Sequence, residues 1–137
     1  PGSEMGQAHR RDWKVQAAGT VADGGVPARL LVGSKLPVRS VAVDAQAFDA
    51  RLGVAGITLK RGDVVVDRGV GRNVLDGPLH ALLHFVNELR ACPGAPDLKA
   101  GDVVTTGTWT DAWPVATGEL WTARFDAPLS TLEVRFI

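Results

Sequence analysis

Residues 54–91 read VAGITLKRGDVVVDRGVGRNVLDGPLHALLHFVNELRA, and this stretch decides the fold class. Apolar and polar residues alternate over 57–60, as in a strand with one buried face. Gly62 can adopt the positive φ that a tight hairpin turn needs, and a valine run at 64–66 then returns the chain. The pattern predicts a β-hairpin over Val54 to Gly69.

The second half of the stretch predicts one long helix over about 77–91. Asp76 is a candidate N-cap, and Pro78 lies near the first turn, where its missing N–H costs little. Cys92-Pro93-Gly94 ends the helix. The apolar residues at helical spacing are Leu79, Leu82, Leu83, Val86 and Leu89.

Short apolar runs outside this stretch predict further strands, while Thr20 to Pro27, with its paired glycines, predicts a loop. The predicted strands are Ala28–Val32, Val38–Val43, Val103–Thr106, Leu120–Phe125 and Leu132–Phe136. Trp121 lies in an alternating strand and is expected in the core, whereas Trp109 and Trp113 could line a pocket or an interface. The sequence therefore predicts an α+β, β-rich fold with one long helix packed on the sheet.

Composition excludes several classes of partner. Fifteen basic and fifteen acidic side chains cancel, so no net field draws the chain to nucleic acid or to an anionic membrane. Cys92 is the only cysteine, which favours a reducing, cytoplasmic compartment. The 137 residues suit one domain. Residues 1–4 contain Pro1-Gly2-Ser3, which matches the remnant of a cleaved expression tag, so residues 5–137 are the expected domain.

Three short motifs each allow a functional and a structural interpretation. His80 and His84 are four residues apart and could share a zinc ion, but Ala81 replaces the glutamate of such helical motifs, so exposed histidines are simpler. Gly69-Val70-Gly71 could cradle phosphate, although a bent strand or bulge suits it better. Thr106-Gly107-Thr108 offers hydroxyl and amide groups to a carboxylate or enolate oxygen, or is an ordinary strand segment.

Three stretches, taken in order, resemble a known family. The first is Asp12-Trp13-Lys14 followed by Thr20 to Asp23; the second is Gly53 to Pro78; the third runs from Leu98 to Phe136. Together they resemble the C-terminal part of the 2-keto-4-pentenoate hydratase and 4-oxalocrotonate decarboxylase branch of the fumarylacetoacetate hydrolase superfamily. The resemblance implies a mixed β-roll or sandwich with the long helix packed on the sheet.

The resemblance also implies chemistry. Such proteins bind Mg²⁺ or Mn²⁺ through carboxylates, and the metal stabilises an enol or enolate of a 2-keto acid. One family metal ligand falls on Glu4, whereas the Glu-x-Glu pair that completes the site is not in this chain. The family motif implies substrate binding by Thr106, Gly107 and Thr108, and proton handling or substrate orientation by Lys14 and Asp23.

This chain departs from the family pattern at Gly19, where the family carries an acid, and at Gly24-Gly25 after Asp23. We therefore expect part of a metal-dependent 2-keto acid hydratase or decarboxylase whose isolated chain is inactive. The alternative is a catalytically inactive hydratase-like binding or assembly module. Open sheet edges would favour a homo-oligomer, or a separate chain that carries the missing half.

Overall fold

The computed structural model describes residues 1–7, 13–14 and 16–137, so Asp12 lies outside the described residues. The strands are β1 (Gly2–Gly6), β2 (Pro27–Val32), β3 (Gly56–Arg61), β4 (Val64–Val70), β5 (Leu120–Phe125) and β6 (Leu132–Arg135). The helices are α1 (Ala17–Ala22), α2 (Val38–Val41), α3 (Ala45–Val54) and α4 (Pro78–Ala91), and a 3-10 turn covers Gly71–Asn73.

Two antiparallel sheets are built from these strands. β4, β3, β5 and β6 lie side by side in that order, and β1 pairs with β2 as a separate two-stranded ribbon. On β5 the buried residues alternate, because Trp121 and Ala123 point to the same face; Leu132 of β6 pairs with Ala123 and is buried with them. Trp121 is 5% exposed, which confirms its predicted place in the core.

The predicted hairpin and helix are confirmed. β3 and β4 pair across the turn at Gly62, whose φ of 56° is the positive value expected there. The predicted Asp76 cap is wrong. Asp76 itself has a φ of 64°, and the N-cap is Gly77 with extended backbone and no side-chain cap.

Several other local predictions are corrected. Val38–Val41 is helical, since the chain turns directly after Pro37, whose carbonyl oxygen accepts a hydrogen bond from Ser40 Oγ at 2.7 Å. The 103–106 segment joins no strand in the described part of the chain. Part of the predicted Thr20–Pro27 loop belongs to α1.

Neither α3 nor β1 was predicted from the sequence. α3 begins after Asp44, whose side chain accepts a hydrogen bond from the Ala47 N–H at 2.8 Å. β1 starts at Gly2, within the 1–4 segment interpreted as a cloning remnant; the domain boundary at residue 5 stays a prediction. In the part of the chain described, no helix has the length and apolar character needed to cross a membrane.

Candidate functional site

The segment from residue 105 to 113, called here the Thr loop, passes over the end of β4 and the 3-10 turn that follows it. A Cβ atom at Gly69 would overlap the carbonyl oxygen of Trp109, so only glycine allows the two backbones to approach this closely. The same carbonyl oxygen accepts a hydrogen bond from Asn73 Nδ2 at 2.8 Å. The Trp109 ring packs edge-on against Phe125, with 5.6 Å between the ring centroids.

The second glycine of the Gly69-Val70-Gly71 motif also serves close packing. A Cβ atom at Gly71 would overlap the carbonyl oxygen of Leu52 at the end of α3. The predicted bulge does not lie at this motif, because the register irregularity of the hairpin falls between Leu59 and Lys60. The two glycines thus bring the Thr loop and α3 against the same end of the hairpin.

Asp67, on β4, holds the far end of the Thr loop. Its Oδ2 accepts hydrogen bonds from the Asp111 N–H at 2.9 Å and from Trp113 Nε1 at 3.0 Å. Its Oδ1 accepts a hydrogen bond from the Arg68 N–H at 2.7 Å. These bonds, with that of Trp113 the most important, hold the pKa of the Asp67 carboxyl below its usual value because they stabilise the charged form.

The centre of the loop carries the predicted substrate-binding residues. Gly107 has a φ of 116°, and a Cβ atom there would lie 2.9 Å from Cγ1 of the buried Val74. Thr108 Oγ1 donates a hydrogen bond to the Thr110 carbonyl oxygen at 2.5 Å. Among the described residues, the N–H groups of Thr106, Gly107 and Thr108 donate to no protein acceptor. Three successive N–H groups around a residue of positive φ can receive an anionic oxygen.

A second carboxylate, Glu119, fixes the chain between the Thr loop and β5. Its Oε2 accepts hydrogen bonds from Trp121 Nε1 and from the Ala116 N–H, both at 2.9 Å. Arg61 Nη1 lies 3.5 Å from Oε1. The pKa of Glu119 is lowered, first by the Trp121 bond and then by the Ala116 bond. Asp67 and Glu119 therefore hold successive parts of the same segment.

The predicted metal ligand lies elsewhere, on the ribbon of β1 and β2. Glu4 is exposed and pairs directly with Leu30. Paired residues of an antiparallel ribbon share a face, so Glu4, Leu30 and Val32 project on one side. Leu30 and Val32 are 42% and 48% exposed. This face therefore presents one carboxylate flanked by exposed apolar side chains.

The two predicted proton-handling residues belong to the same unit as Glu4. Lys14 is an exposed residue between β1 and α1. Asp23 is half-buried and ends α1, where its N–H donates to the Gly19 carbonyl oxygen at 3.1 Å. The predicted site residues thus fall into two groups: the β1–α1–β2 unit carries Glu4, Lys14 and Asp23, and the Thr loop carries the substrate-binding residues.

The described residues do not form a complete metal site. No group of three or more His, Cys, Asp or Glu side chains within them could hold an ion. An octahedral Mg²⁺ site built on Glu4 would need further oxygen ligands. On α4, His80 Nε2 lies 3.7 Å from Asp49 Oδ2, which makes an ion pair only when the histidine is protonated.

Sequence reasoning missed Asp67 and Asn73, which hold the Thr loop. A signal was available for Asp67, because an acid directly after three valines in a strand needs a partner or solvent. Asn73 follows the Gly-x-Gly motif but has no local feature that points 36 residues ahead to Trp109.

Known proteins resemble this chain along nearly its whole length. 2-keto-4-pentenoate hydratases 1 and 2 of Dechloromonas aromatica (strain RCB) are 32% and 33% identical to it over 132 residues, or 96% of this chain and 45% of each relative. 4-oxalocrotonate decarboxylase of Pseudomonas sp. (strain CF600) is 27% identical over 137 residues, which cover 48% of that protein. No protein-family model matches the chain.

A solved structure gives the same result for the fold. 4-oxalocrotonate decarboxylase from Pseudomonas putida G7, complexed with magnesium and adipate, matches all of this chain with a TM-score of 0.82 and 27% identity. The match covers 48% of that protein, so this chain spans about half the length of the relatives it matches. The predicted fumarylacetoacetate-hydrolase-type fold is therefore confirmed. The chain is homologous to 2-keto-4-pentenoate hydratases and 4-oxalocrotonate decarboxylases and matches about half the length of these proteins.

Proposed function

We propose that this chain is part of a metal-dependent 2-keto acid hydratase or decarboxylase, of the type that acts on 2-hydroxypenta-2,4-dienoate through an enol or enolate. In this proposal the Thr loop binds the oxygens of the substrate. The observation that carries it is the set of three successive N–H groups at 106–108, which donate to no acceptor within the described residues. Such donors, fixed before the substrate arrives, stabilise an oxygen that gains negative charge.

The hydroxyl of Thr108 has a more limited role than the backbone. Its proton is already donated to the Thr110 carbonyl oxygen, so in this geometry Oγ1 offers only lone pairs. A carboxylate or enolate has no proton to give to those lone pairs, whereas a protonated enol does. We therefore assign the charged oxygens of the substrate to the backbone N–H groups and a substrate hydroxyl to Thr108.

The metal side of the proposal rests on Glu4. Mg²⁺ or Mn²⁺ would polarise the keto acid when bound, and Glu4 would supply one of its oxygen ligands. The other carboxylates would come from the part of the enzyme that corresponds to the remaining half of the relatives. Lys14 and Asp23, in the same unit as Glu4, are proposed to orient the substrate or to move protons. The described residues alone do not complete the metal site.

A titration of the ¹⁵N-labelled chain with adipate, and separately with a 2-keto acid such as 2-oxoadipate, tests the substrate side. We expect the largest amide shifts at Gly107 and Thr108. Thr108→Val should reduce the affinity for the 2-keto acid in its enol form, while the matched control Thr105→Val, at the start of the same loop, should leave it unchanged. Binding with no shift in residues 106–108 would refute the assignment.

A catalytically inactive binding or assembly module is the second candidate. It is favoured by the exposure of Glu4 and by the lack of a metal-binding group among the described residues. Such a module would keep the Thr loop but would not gain Mg²⁺-dependent turnover when the complementary half of a Dechloromonas hydratase is supplied. Turnover in that mixture would exclude it.

The open edges of the two sheets and the single cysteine bear on assembly and on the cellular compartment. β4 and β6 are the outer strands of the four-stranded sheet, and both strands of the ribbon have an open edge within the described chain. Open edges recruit partners, so we propose either a homo-oligomer or association with a chain that carries the missing half. The lone, exposed Cys92 suits the cytoplasm, where thiols stay reduced.

A further inference from the structure

The peptide unit between Thr110 and Asp111 links a carboxylate to the proposed substrate-binding threonine. Its N–H donates to Asp67 Oδ2 at 2.9 Å, and its carbonyl oxygen accepts the hydroxyl proton of Thr108 at 2.5 Å. A peptide unit is planar and trans, so the directions of its N–H and C=O groups are fixed relative to each other. Whatever sets the direction of the Asp111 N–H therefore also sets the position of the acceptor for Thr108.

Asp67 is well placed to set that direction. Its Oδ1 is held by the Arg68 N–H, and its Oδ2 also accepts from Trp113 Nε1, so the carboxylate is itself fixed at both oxygens. A hydrogen bond from a peptide N–H to a charged oxygen also polarises the peptide and makes its carbonyl oxygen a better acceptor. Asp67 thereby strengthens the bond that holds the Thr108 hydroxyl.

The other contacts of the Thr loop do not act at this point. Asn73 and Gly69 hold the carbonyl of Trp109, one residue before Thr110, and Val74 packs against Gly107. These contacts fix where the loop lies, whereas the Asp67 bond fixes how the Thr110–Asp111 peptide is rotated. The two effects can be separated by substitution.

We propose that Asp67 is a positioning residue that acts through the Thr110–Asp111 peptide to fix the hydroxyl of Thr108. Asp67 thus determines that Thr108 Oγ1 presents lone pairs to the substrate. The site therefore prefers a substrate in which the oxygen next to Thr108 carries a proton. This inference deepens the proposed function and rests on it for the identity of the ligand, but the link from Asp67 to Thr108 can be measured without any ligand.

The ligand-free test uses the full chain and the variants Asp67→Ala and Asp67→Asn. Asp63→Asn is the matched control, since it removes an exposed carboxylate from the turn of the same hairpin. We expect Asp67→Ala to raise amide exchange at Asp111 about tenfold and to average the Thr108 χ1 rotamer, as read from couplings to its methyl carbon. Asp67→Asn keeps one acceptor oxygen without the charge, so its effect should be smaller.

The ligand test is a double-mutant cycle with the enol-forming probe 2-oxoadipate. We expect Asp67→Ala to weaken binding about tenfold in the wild-type background and to have almost no effect once Thr108→Val has removed the hydroxyl. A residue that merely supports the fold would weaken binding equally in both backgrounds, and that result would overturn the proposal.

The outcomes separate this inference from the proposed function. If Asp67→Ala leaves the Thr108 rotamer and the Asp111 exchange unchanged, the inference is wrong whether or not the chain binds acids. If the rotamer averages but the wild-type chain binds neither adipate nor 2-oxoadipate, the proposed function fails and the positioning of Thr108 by Asp67 stands.

Discussion

The Thr loop (105–113) and the ribbon of β1 and β2 differ in how their chemical groups are held. The loop has no strand or helix, yet Asp67, Asn73, Gly69 and Val74 hold it along its length. The ribbon has regular strand pairing, yet Glu4 projects from it on an exposed face. Of these two parts of the proposed site, the Thr loop is therefore the better organised, although it has no regular secondary structure. Its organisation comes from contacts with other parts of the chain.

This difference distinguishes the substrate-binding side of the proposed enzyme from its metal-binding side. The proposed donors for substrate oxygens are organised by contacts with Asp67, Asn73 and Val74 of this chain. Glu4, the carboxylate proposed for the metal, lies beside the exposed Leu30 and Val32, as expected if its co-ligands come from another segment. Four changes test the contrast, in order of decreasing effect.

Gly69→Ala should cause the largest loss. Its Cβ would overlap the Trp109 carbonyl oxygen, which is backbone and cannot rotate away, so the Thr loop must shift. We expect a loss of about 3 kcal/mol in the free energy of unfolding and a red shift in tryptophan emission. Gly2→Ala on the ribbon is the control, because its Cβ would meet its nearest atom at an ordinary 3.5 Å. Equal effects of the two substitutions would remove the contrast.

Gly107→Ala should cost less than Gly69→Ala but more than Gly101→Ala. Both glycines have positive φ, at 116° and 102°, so alanine at either costs about 1–2 kcal/mol in backbone strain. Only at Gly107 would the new methyl group also meet Val74, at 2.9 Å. Chemical denaturation should therefore show an extra loss of about 1 kcal/mol for Gly107→Ala. An identical loss would mean that Val74 does not confine the loop.

Acid should release the Thr loop through Asp67. The folded-state pKa of this carboxyl lies below its usual value of 3.8, so its contribution to stability is fully present well above that value. The contribution is lost as the pH falls through the lowered pKa, because protonation removes the charge that the three hydrogen bonds stabilise. The indole NMR signal of Trp113 should therefore stay constant from pH 7 to 5 and shift with a midpoint below the usual carboxyl value of 3.8. Asp67→Asn should abolish that transition, and a change near pH 6 would contradict it.

Glu4→Ala should have the smallest effect on the isolated chain. The side chain is exposed on the ribbon, so thermal denaturation should show a change within about 0.5 kcal/mol. A substantially larger loss would show that Glu4 has a structural role within this chain, and it would remove the reason for placing its partners elsewhere.

The sequence predicted those features that depend on local patterns. The β3–β4 hairpin followed from alternation and Gly62, and α4 followed from leucine spacing with Pro78 in the first turn. The Thr106–Thr108 segment was selected by resemblance and by its polar groups, but the strand predicted just before it, at Val103–Thr106, was wrong. A strand forms only where a partner is available, and the pattern of 103–106 contains no information about partners.

The contacts that organise the Thr loop were beyond sequence reasoning because they are long-range. Asp67 and Trp113 are 46 residues apart, and Asn73 and Trp109 are 36 apart. No local propensity connects such residues. Asp76 failed as a cap for a different reason, because the chain enters α4 from a left-handed conformation at Leu75 and Asp76 that single-residue preferences do not indicate.

Turnover of 2-hydroxypenta-2,4-dienoate by the isolated chain at saturating Mg²⁺ tests the central claim most directly. If 106–108 bind the substrate and Glu4 is one of several metal ligands, as proposed, the chain should give no turnover above that of Mg²⁺ alone, because a single carboxylate cannot hold the ion in its octahedral geometry. Robust Mg²⁺-dependent turnover that Glu4→Gln abolishes would contradict the claim, since it would show that this chain completes the metal site by itself.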